Sequence, residues 1–360
     1  MPRGLVGGPF GSALGGKDYV PSGVPVIRGS NLASAGFFDA SEFAFVTAEK
    51  ALSLGGNLAR PGDVVFTQRG TLGQVGIIPD GPFDTYVVSQ SQMRLRVDPA
   101  KAVARFVYYQ FRTPALVDAI RNSAITTGVP HINLGILGAL PIVIPPLEAQ
   151  EAIASVLSAI DEKITANSRS AVTAFDLAAA EFARAAVSSS RPVPLGEVLD
   201  LAYGKALPAG RRRPGPVPVY GSGGVSGTHD RALVGGPGVI VGRKGTAGSV
   251  HWSPGDFYPI DTTYYVRLKN RMLSLPYVYF LLRGLGLSEM NSDSAVPGLN
   301  RSRALAVPVR LPAASAIAEF TARVRPLFAL RDQLASENDA LSGLRDYLLP
   351  RLIAGEIEVR

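Results

Sequence analysis

The stretch that decides the fold reads PPLEAQEAIASVLSAIDEKITANSRSAVTAFDLAAAEFARAAV at residues 145–187. After its two prolines it contains almost no helix breakers, and its apolar residues recur at spacings of four, three and four. These residues are Ile153, Leu157, Ile160 and Ile164. The spacing is typical of a coiled-coil seam and not of a globular helix face. A helix of this length is a rod of roughly 60 Å, which needs a partner helix to bury its stripe.

A second long helix is predicted from about residue 313 to residue 354. Its apolar residues keep a heptad-like spacing: Phe320, Val324, Leu327, Leu334, Leu341, Leu344 and Leu348. Asn338 lies in the same stripe, where it either fixes the register of a helix pair or faces solvent. Pro326 predicts a kink or an irregular first section. We expect the two helices to pair with each other.

Composition limits the classes of protein. A length of 360 residues with 46% hydrophobic residues predicts two or three domains with sizeable cores. No run of eighteen apolar residues and no apolar signal segment is present, so we expect a cytoplasmic protein without a membrane partner. Zero cysteines exclude disulfides and thiolate zinc sites, and with three histidines we predict no metal site. The net charge of +7 fits a polyanionic partner such as nucleic acid.

The chain contains an internal repeat. Three pairs of segments carry it: VPHIN at 129–133 and VPGLN at 296–300, RGTLGQV at 69–75 and KGTAGSV at 244–250, and VPV followed by GS at 24–30 and at 217–222. Each copy ends in one of the two long helices. The predicted order is therefore globular unit, rod, globular unit, rod.

The globular units are predicted to be β-rich, because short β-branched runs alternate with glycine and proline turns. The predicted strands are 63–66, 74–78, 239–241 and 262–268, and the predicted short helices are 105–112 and 276–283. The segment 188–192 (SSSRP) is the clearest linker. The fold class predicted from these patterns is α+β.

Four groups of motifs resemble the specificity (S) subunit of type I restriction–modification systems. They are GPFGS at 8–12 with PVIRGSN at 25–31; PPLEAQ at 145–150; VYGS at 219–222 with GRKGT at 242–246 and PIDTT at 259–263; and LRDYLLPRLIAGEI at 344–357. The resemblance covers nearly the whole chain. The order of these motifs, together with the duplication, is typical of that family.

The resemblance implies two target recognition domains, at 1–144 and 191–312, each reading half of a bipartite double-stranded DNA site. It implies that an antiparallel pair of coiled-coil helices, at 145–190 and 313–360, separates them in a pseudo-twofold arrangement. These helices would dock two modification subunits, which carry S-adenosylmethionine and methylate adenine. Restriction subunits would add ATP- and magnesium-dependent translocation and cleavage for phage defence. This chain itself would hold no cofactor and catalyse nothing.

One feature departs from the family pattern. The second unit opens with PLGEV at 194–198, a family-like first strand, whereas the first unit begins at Met1 without one. Either the start codon is placed late, or the chain is shortened, or the similar GEI at 355–357 supplies the strand and closes the molecule into a circular arrangement. The second long helix also lacks the PLEAQ start of the first, which leaves the contacts at that helix start open.

Candidate DNA-binding residues cluster at the paired glycine-rich turns, since Arg, Asn and Gln read base edges while Lys, Arg, Ser and Thr hold phosphates. In the first unit they are Arg28, Ser30, Asn31, Gln68, Arg69, Thr71, Gln90, Gln92 and Arg94. In the second they are Tyr220, Ser222, His229, Arg243, Lys244, Thr246 and Thr263. Arg69 and Lys244 share one repeat position, which predicts a common role on the DNA backbone. The alternative is that these turns are tight hairpins with solvated charges.

For some further residues a structural role is an alternative to DNA binding or is the expected role. The basic run 211–213 either grips phosphates or is a solvated loop. Asn133 and Asn300 are expected to cap backbone groups. His131 is expected to be structural and Trp252 to belong to a core.

Two segments resemble enzyme motifs, but each lacks a residue that the corresponding chemistry requires. IPPL at 144–147 is not the Asn/Asp-Pro-Pro-aromatic loop of an adenine methylase, and the P-loop-like GSALGGKD at 11–18 ends in Asp instead of the magnesium-binding Ser or Thr. The run 161–163 (DEK) is predicted to be an exposed helix face. Two other classes stay open: an enzyme built from scattered residues, and a scaffold or decoy protein with S-subunit architecture.

Overall fold

The computed structural model describes residues 4–32, 37–186, 191–290 and 298–359. The chain divides into two compact units: residues 1–168 with 336–360, and residues 169–335. Both boundaries fall inside the two long helices, so each unit contains one β-rich region and a part of each helix. The division into four segments at 1–144, 145–190, 191–312 and 313–360 stays a prediction.

Nine strands lie within the described part of the first unit, in two sheets. They are β1 Leu5–Gly7, β2 Tyr19–Val20, β3 Val24–Ile27, β4 Ala44–Val46, β5 Leu58–Ala59, β6 Val64–Thr67, β7 Val75–Ile77, β8 Tyr86–Val88 and β9 Gln92–Leu95. One sheet has the antiparallel order β1-β9-β6-β7. The other has the order β2-β4-β3-β8-β5, in which β3 and β8 are parallel.

Four short helices flank these sheets: the first, which contains Ala51, packs against the second sheet, and the other three pack against the first. They are α1 Ala48–Ser53, α2 Ala104–Gln110, α3 Pro114–Asn122 and α4 Leu134–Gly138, followed by the long helix α5 Leu147–Ala185. Helix α2 lies where the sequence predicted it, and its aromatic residues Phe106 and Tyr109 share a buried core with Phe66 of β6. Burial of such rings supplies a large part of the apolar area that stabilises a domain.

The second unit repeats this strand topology. Its strands in the described residues are β10 Val193–Pro194, β11 Leu199–Tyr203, β12 Val217–Gly221, β13 Gly224–His229, β14 Gly238–Gly242, β15 Val250–Ser253, β16 Tyr258–Pro259, β17 Thr263–Leu268 and β18 Pro308–Val309. The antiparallel order β11-β17-β14-β15 corresponds to β1-β9-β6-β7, and the parallel pair β12 and β16 corresponds to β3 and β8. The internal repeat and the α+β class are therefore confirmed.

The helices of the second unit are α6 Leu195–Val198, α7 Leu275–Arg283 and α8 Arg301–Ala306, and the long helix α9 Ala314–Ile353 follows them. The prediction of a strand at 194–198 was wrong beyond β10, because Leu195 and Val198 are three residues apart and both are buried by one helical turn. The true first sheet strand, β11, has a counterpart in β1. The linker at 188–192 lies mostly outside the described residues, as do Val296 and Pro297 of the repeat.

In the first unit the two long helices pair in antiparallel fashion. Ile153 and Leu157 of α5 share a buried core with Leu349 and Leu352 of α9. Further along, Asn167 donates from Nδ2 to Oδ1 of Asn338 at 3.0 Å. Asn338 in turn donates to the Ser168 hydroxyl at 3.1 Å. Of the two alternatives for Asn338, the structure shows the one at the helix seam.

The parts of the same helices in the second unit also pair antiparallel. The rings of Phe182 and Phe320 are 6.0 Å apart, and those of Phe175 and Phe328 are 6.5 Å apart. Helix α9 continues through Pro326, so the predicted irregular first section is absent; Pro326 lies on the exposed side.

The predicted apolar stripe of α9 is wrong toward its end. Leu344 is 46% exposed, and Arg345 takes the inward position beside it. Arg345 Nη1 lies 2.7 Å from Oδ1 of Asp161 on α5. Asp161 was expected on an exposed face, but it is fully buried, because Arg345, Arg112 and the Tyr109 hydroxyl compensate its charge.

Residues 354–359, which follow α9, form no strand, so the strand predicted at 355–357 is wrong. Ile357 and Val359 instead pack their side chains against the core that contains Leu5 and Leu95 of the first unit. This segment therefore belongs to the β-rich region of the first unit through apolar contacts, not through a hydrogen-bonded ladder.

Candidate nucleic-acid interface

Each unit carries the same glycine-rich turn between two strands. In the first unit residues 68–74 join β6 to β7, and in the second residues 243–249 join β14 to β15. Gly70 and Gly73 have φ angles of +102° and +87°, and the equivalent Gly245 and Gly248 have +75° and +80°. Only glycine adopts such angles without strain, which explains why both turns contain the motif G-T-x-G.

The two turns are anchored by equivalent hydrogen bonds. The backbone amides of Gln68 and Arg69 donate to the Ser91 carbonyl at 2.7 and 3.2 Å. Those of Arg243 and Lys244 donate to the Thr262 carbonyl at 2.8 and 3.2 Å. The cations Arg69 and Lys244 therefore occupy one structural position, and both side chains are exposed.

A second glycine loop adjoins each turn. In the first unit a β-carbon on Gly29 would lie 3.8 Å from Oε1 of Gln74, at the end of the turn. In the second unit a β-carbon on Gly245 would lie 3.2 Å from the hydroxyl oxygen of Ser222. The loops beginning at residues 28 and 221 thus lie beside the turns, as the repeat predicted.

Ten of the sixteen predicted contact residues remain at least partly accessible. Arg28, Ser30, Arg69, Thr71, Gln90, Lys244 and Thr246 are exposed, and Gln68, Ser222 and Arg243 are half-buried. The Gln90 side-chain amide donates to the Leu14 carbonyl at 2.8 Å, so it also holds a neighbouring loop.

Three predicted residues of the first unit lie inside the domain. Asn31 is 1% exposed, and its amide donates to the backbone carbonyls of Asp39 and Glu42 at 2.9 Å each. The Gln92 carbonyl oxygen accepts from the Ser89 hydroxyl. Arg94 Nη1 donates to a backbone carbonyl 2.9 Å away, and burial lowers the pKa of its guanidinium. These side chains order the loops and are not placed to meet DNA.

Three predicted residues of the second unit are also interior. The Tyr220 hydroxyl donates to the Trp252 carbonyl at 3.2 Å, and burial raises its pKa. His229 Nδ1 accepts from the Arg213 amide at 3.0 Å. Thr263 is fully buried and its hydroxyl donates to a carbonyl 2.8 Å away. Burial in each case follows from an inward position on a strand, which the polar residue type concealed.

The secondary expectations have mixed outcomes. Asn133 and Asn300 cap α4 and α8, accepting backbone amides at 2.8 and 3.0 Å. Trp252 packs on Phe328 with ring centroids 4.7 Å apart, as expected for a core residue. In the basic run, Arg213 is paired with Asp230 at 2.9 Å, which favours the solvated-loop alternative at that position.

Sequence reasoning missed three residues beside the turns. Tyr203 is 53% exposed, and the guanidinium of Arg243 lies 5.1 Å from its ring centroid. Arg301 lies over the same ring at 5.9 Å. In the first unit Arg121 Nε donates to the Leu72 carbonyl at 3.4 Å. Tyr203 could have been identified from the register of β11 against β17, which places it opposite Tyr264.

Across residues 4–32, 37–186, 191–290 and 298–359 no group of three or more His, Asp or Glu side chains is arranged to hold a metal ion. Within those same ranges no helix is both long and apolar enough to cross a membrane.

The comparisons with known proteins agree with this architecture. Residues 19–174 match the family model described as the type I restriction modification DNA specificity domain. The S subunit of a type I restriction–modification system from M. genitalium is 19% identical, with a TM-score of 0.65 over 97% of this chain and 92% of that chain. Comparison with curated proteins gave no significant match.

Two other solved structures resemble the chain more loosely. The HsdS subunit from Thermoanaerobacter tengcongensis is 18% identical, with a TM-score of 0.31 over 83% of this chain and 82% of its own. A chain from a study of assembly and conformational transition of the type I R-M system is 16% identical, with a TM-score of 0.41 over 83% of both chains. Neither score is high enough to add to the fold comparison. Residues 19–174 therefore match the type I restriction modification DNA specificity domain, and the chain as a whole has a fold similar to that of the M. genitalium S subunit.

Proposed function

We propose that this chain is the sequence-specific DNA-binding subunit of a type I restriction–modification complex. The domain within 1–144 reads one half of a bipartite site and the domain within 191–312 reads the other. The observation that carries the proposal is the repeated turn, which presents an exposed cation, Arg69 or Lys244, at the same backbone position in both units. A cation on a rigid turn suits a phosphate, and the adjoining Gln68 and Ser222 suit base edges.

The long helices are proposed to dock the modification subunits. Support comes from large apolar side chains that α5 and α9 leave exposed, which a docked subunit would remove from water. Val172, Leu177, Leu330, Leu344 and Tyr347 are between 42% and 60% exposed. In this proposal S-adenosylmethionine belongs to two modification subunits, and ATP and magnesium belong to the restriction subunits. The chain itself contributes recognition and no active site.

The test is co-expression of the chain with its modification subunit, followed by single-molecule mapping of methylated adenines. We expect a two-part motif with a fixed gap. An Arg69→Ala variant is expected to weaken methylation at all sites alike, because a phosphate contact carries no sequence information. If the complex assembles and binds S-adenosylmethionine but methylates no motif, the chain is a scaffold or decoy and the proposal fails.

A further inference from the structure

We propose that the second unit has a DNA-phosphate site that the first unit lacks, in a cavity beside its glycine-rich turn. The inference rests on the proposed DNA-binding function and assigns one contact within it. The cavity has a volume of about 430 Å³. The residues of its lining that carry the argument are Tyr203, Arg243, Lys244, Tyr264, Asn300 and Arg301.

The charges around this cavity are not balanced. Arg301 forms an ion pair with Asp200. Among the residues that the structure describes, neither Arg243 nor Lys244 has a carboxylate within ion-pair distance; Arg243 Nη1 donates to the Asp261 backbone carbonyl at 3.1 Å, which carries no net charge. Two positive charges therefore face a cavity in which an anion would complete the pairing.

Arg243 is held in place before any ligand arrives. Its guanidinium lies 5.1 Å from the ring centroid of Tyr203 and 5.9 Å from that of Tyr264. The two rings meet edge to face with centroids 5.1 Å apart. A fixed planar guanidinium suits the oxygens of a phosphate. The Tyr203 ring already carries two guanidinium groups, so it is a support for arginine and not a platform for a stacked base.

The equivalent place in the first unit has different chemistry. Gly7 lies opposite Met93 in β1 and β9, as Tyr203 lies opposite Tyr264 in β11 and β17. A β-carbon on Gly7 would lie 3.6 Å from Oε1 of Gln68 and 4.0 Å from Leu134. The first unit thus has Gly, Gln, Met and Leu where the second has Tyr, Arg, Tyr and Arg. The asymmetry predicts that the second unit contributes more than the first to the sequence-independent part of the DNA affinity.

The decisive variant is Arg243→Gln in the full chain. The first unit carries Gln68 at the matching position, so glutamine is compatible with the conformation of the turn. Binding of a short random-sequence duplex is measured between about 50 and 200 mM salt. We expect the slope of log K against log salt to fall in magnitude by about 1, the loss of one phosphate contact. Arg271→Gln makes the same charge change at an exposed residue outside the cavity and is expected to leave the slope unaltered.

Tyr203 is a positioning residue in this proposal. Tyr203→Phe keeps the ring under Arg243 and is expected to bind as the unaltered chain does, whereas Tyr203→Leu is expected to weaken binding several-fold on every sequence. Binding that Tyr203→Phe weakens as much as Tyr203→Leu does would contradict this positioning role of the ring.

Two results would overturn the proposal. One is an Arg243→Gln slope equal to that of Arg271→Gln. The other is loss of preference at one base with an unchanged slope, which would assign Arg243 to base reading. A chain that binds DNA with no sequence preference at all contradicts the proposed function instead, and the Arg243→Gln comparison still decides the cavity.

Discussion

At the scale of single residues, the first unit depends on a buried charge network around Asp161. The carboxylate is reached by Arg345 at 2.7 Å, by the Tyr109 hydroxyl at 2.9 Å and by Arg112 at 3.4 Å. Burial and the neighbouring carboxylate raise the pKa of Tyr109, so its hydroxyl stays protonated and donates. Burial alone would lower the pKa of Arg345, but its hydrogen bonds to Asp161 and Asp346 outweigh this and raise it. The two carboxylates thus keep the buried guanidinium of Arg345 charged.

Removing one partner of this network leaves a buried charge unpaired. Arg345→Leu is expected to lower the free energy of unfolding of the first unit by about 3–5 kcal/mol. The double variant Asp161→Leu with Arg345→Leu is expected to recover part of that loss, because the leucine pair needs no compensation, whereas Arg112 and the Tyr109 hydroxyl lose their carboxylate partner. Urea unfolding of the full chain, followed by tyrosine fluorescence and circular dichroism, measures both.

The matched control is the ion pair of Arg105 on α2 and Glu162 on α5, at 2.9 Å, which neighbours Asp161 but has both side chains about half exposed. Glu162→Gln is expected to cost about 1 kcal/mol or less, since water screens exposed pairs. An Arg345→Leu loss no larger than that of the control would show that the network does not stabilise the unit.

Residue-level roles were the least predictable part of the site. Asn31 and Gln92 have the same chemistry as an accessible base-reading residue, and only the packing of distant loops shows that they are buried. Arg69 and Lys244 were predictable because a local motif fixes the turn that exposes them. Tyr203 was not, because its role depends on strand register, which joins residues far apart in the sequence.

At the scale of elements, the helices were predictable and their inward faces only partly so. The observed bounds of α5 and α9, Leu147–Ala185 and Ala314–Ile353, lie within two residues of the expected ones. A heptad pattern counts apolar residues alone, so it could not place Arg345 at the seam, and for Asn338 it left the seam and the solvent as alternatives. Those polar residues are inward only because Asp161 and Asn167 face them.

The segment after α9 offers an element-scale test. Ile357→Ser removes an apolar contact with the first-unit core, and we expect a loss of about 1 kcal/mol for this half-buried side chain. Thermal unfolding monitored by hydrogen exchange in β1 and β9 locates the loss. Glu358→Ser changes the exposed neighbour and is expected to leave protection as it was. Equal protection in both variants would mean that the segment does not belong to the core.

At the scale of the whole molecule, the duplication was the most predictable feature. The similar sequences of the turns at 68–74 and 243–249 predict it. The sheet orders β1-β9-β6-β7 and β11-β17-β14-β15 confirm it. The repeat did not predict where the two copies differ, as they do at Gly7 and Tyr203. Function that depends on the difference between the halves is therefore invisible to repeat detection.

Modularity follows from that duplication. Exchanging residues 1–144 for the corresponding domain of another such protein, with Tyr109 retained to pair with Asp161, is expected to change one half of the methylated motif and leave the other half and the gap unaltered. Lengthening both helices by whole heptads is expected to change only the gap. Methylation mapping reads both, and a change in both half-sites after a single exchange would contradict the modular account.

The division of the chain into units has a consequence for synthesis on the ribosome. Residues 169–335 form one continuous stretch, whereas the first unit needs residues 336–360 in addition to residues 1–168. The unit that is translated first is therefore the one that is completed last. Until α9 has emerged, Ile153 and Leu157 lack the leucines that cover them and Asp161 lacks Arg345. The nascent chain thus carries an uncovered apolar stripe beside an unpaired carboxylate for about half of its translation, a state in which binding by a chaperone competes with aggregation.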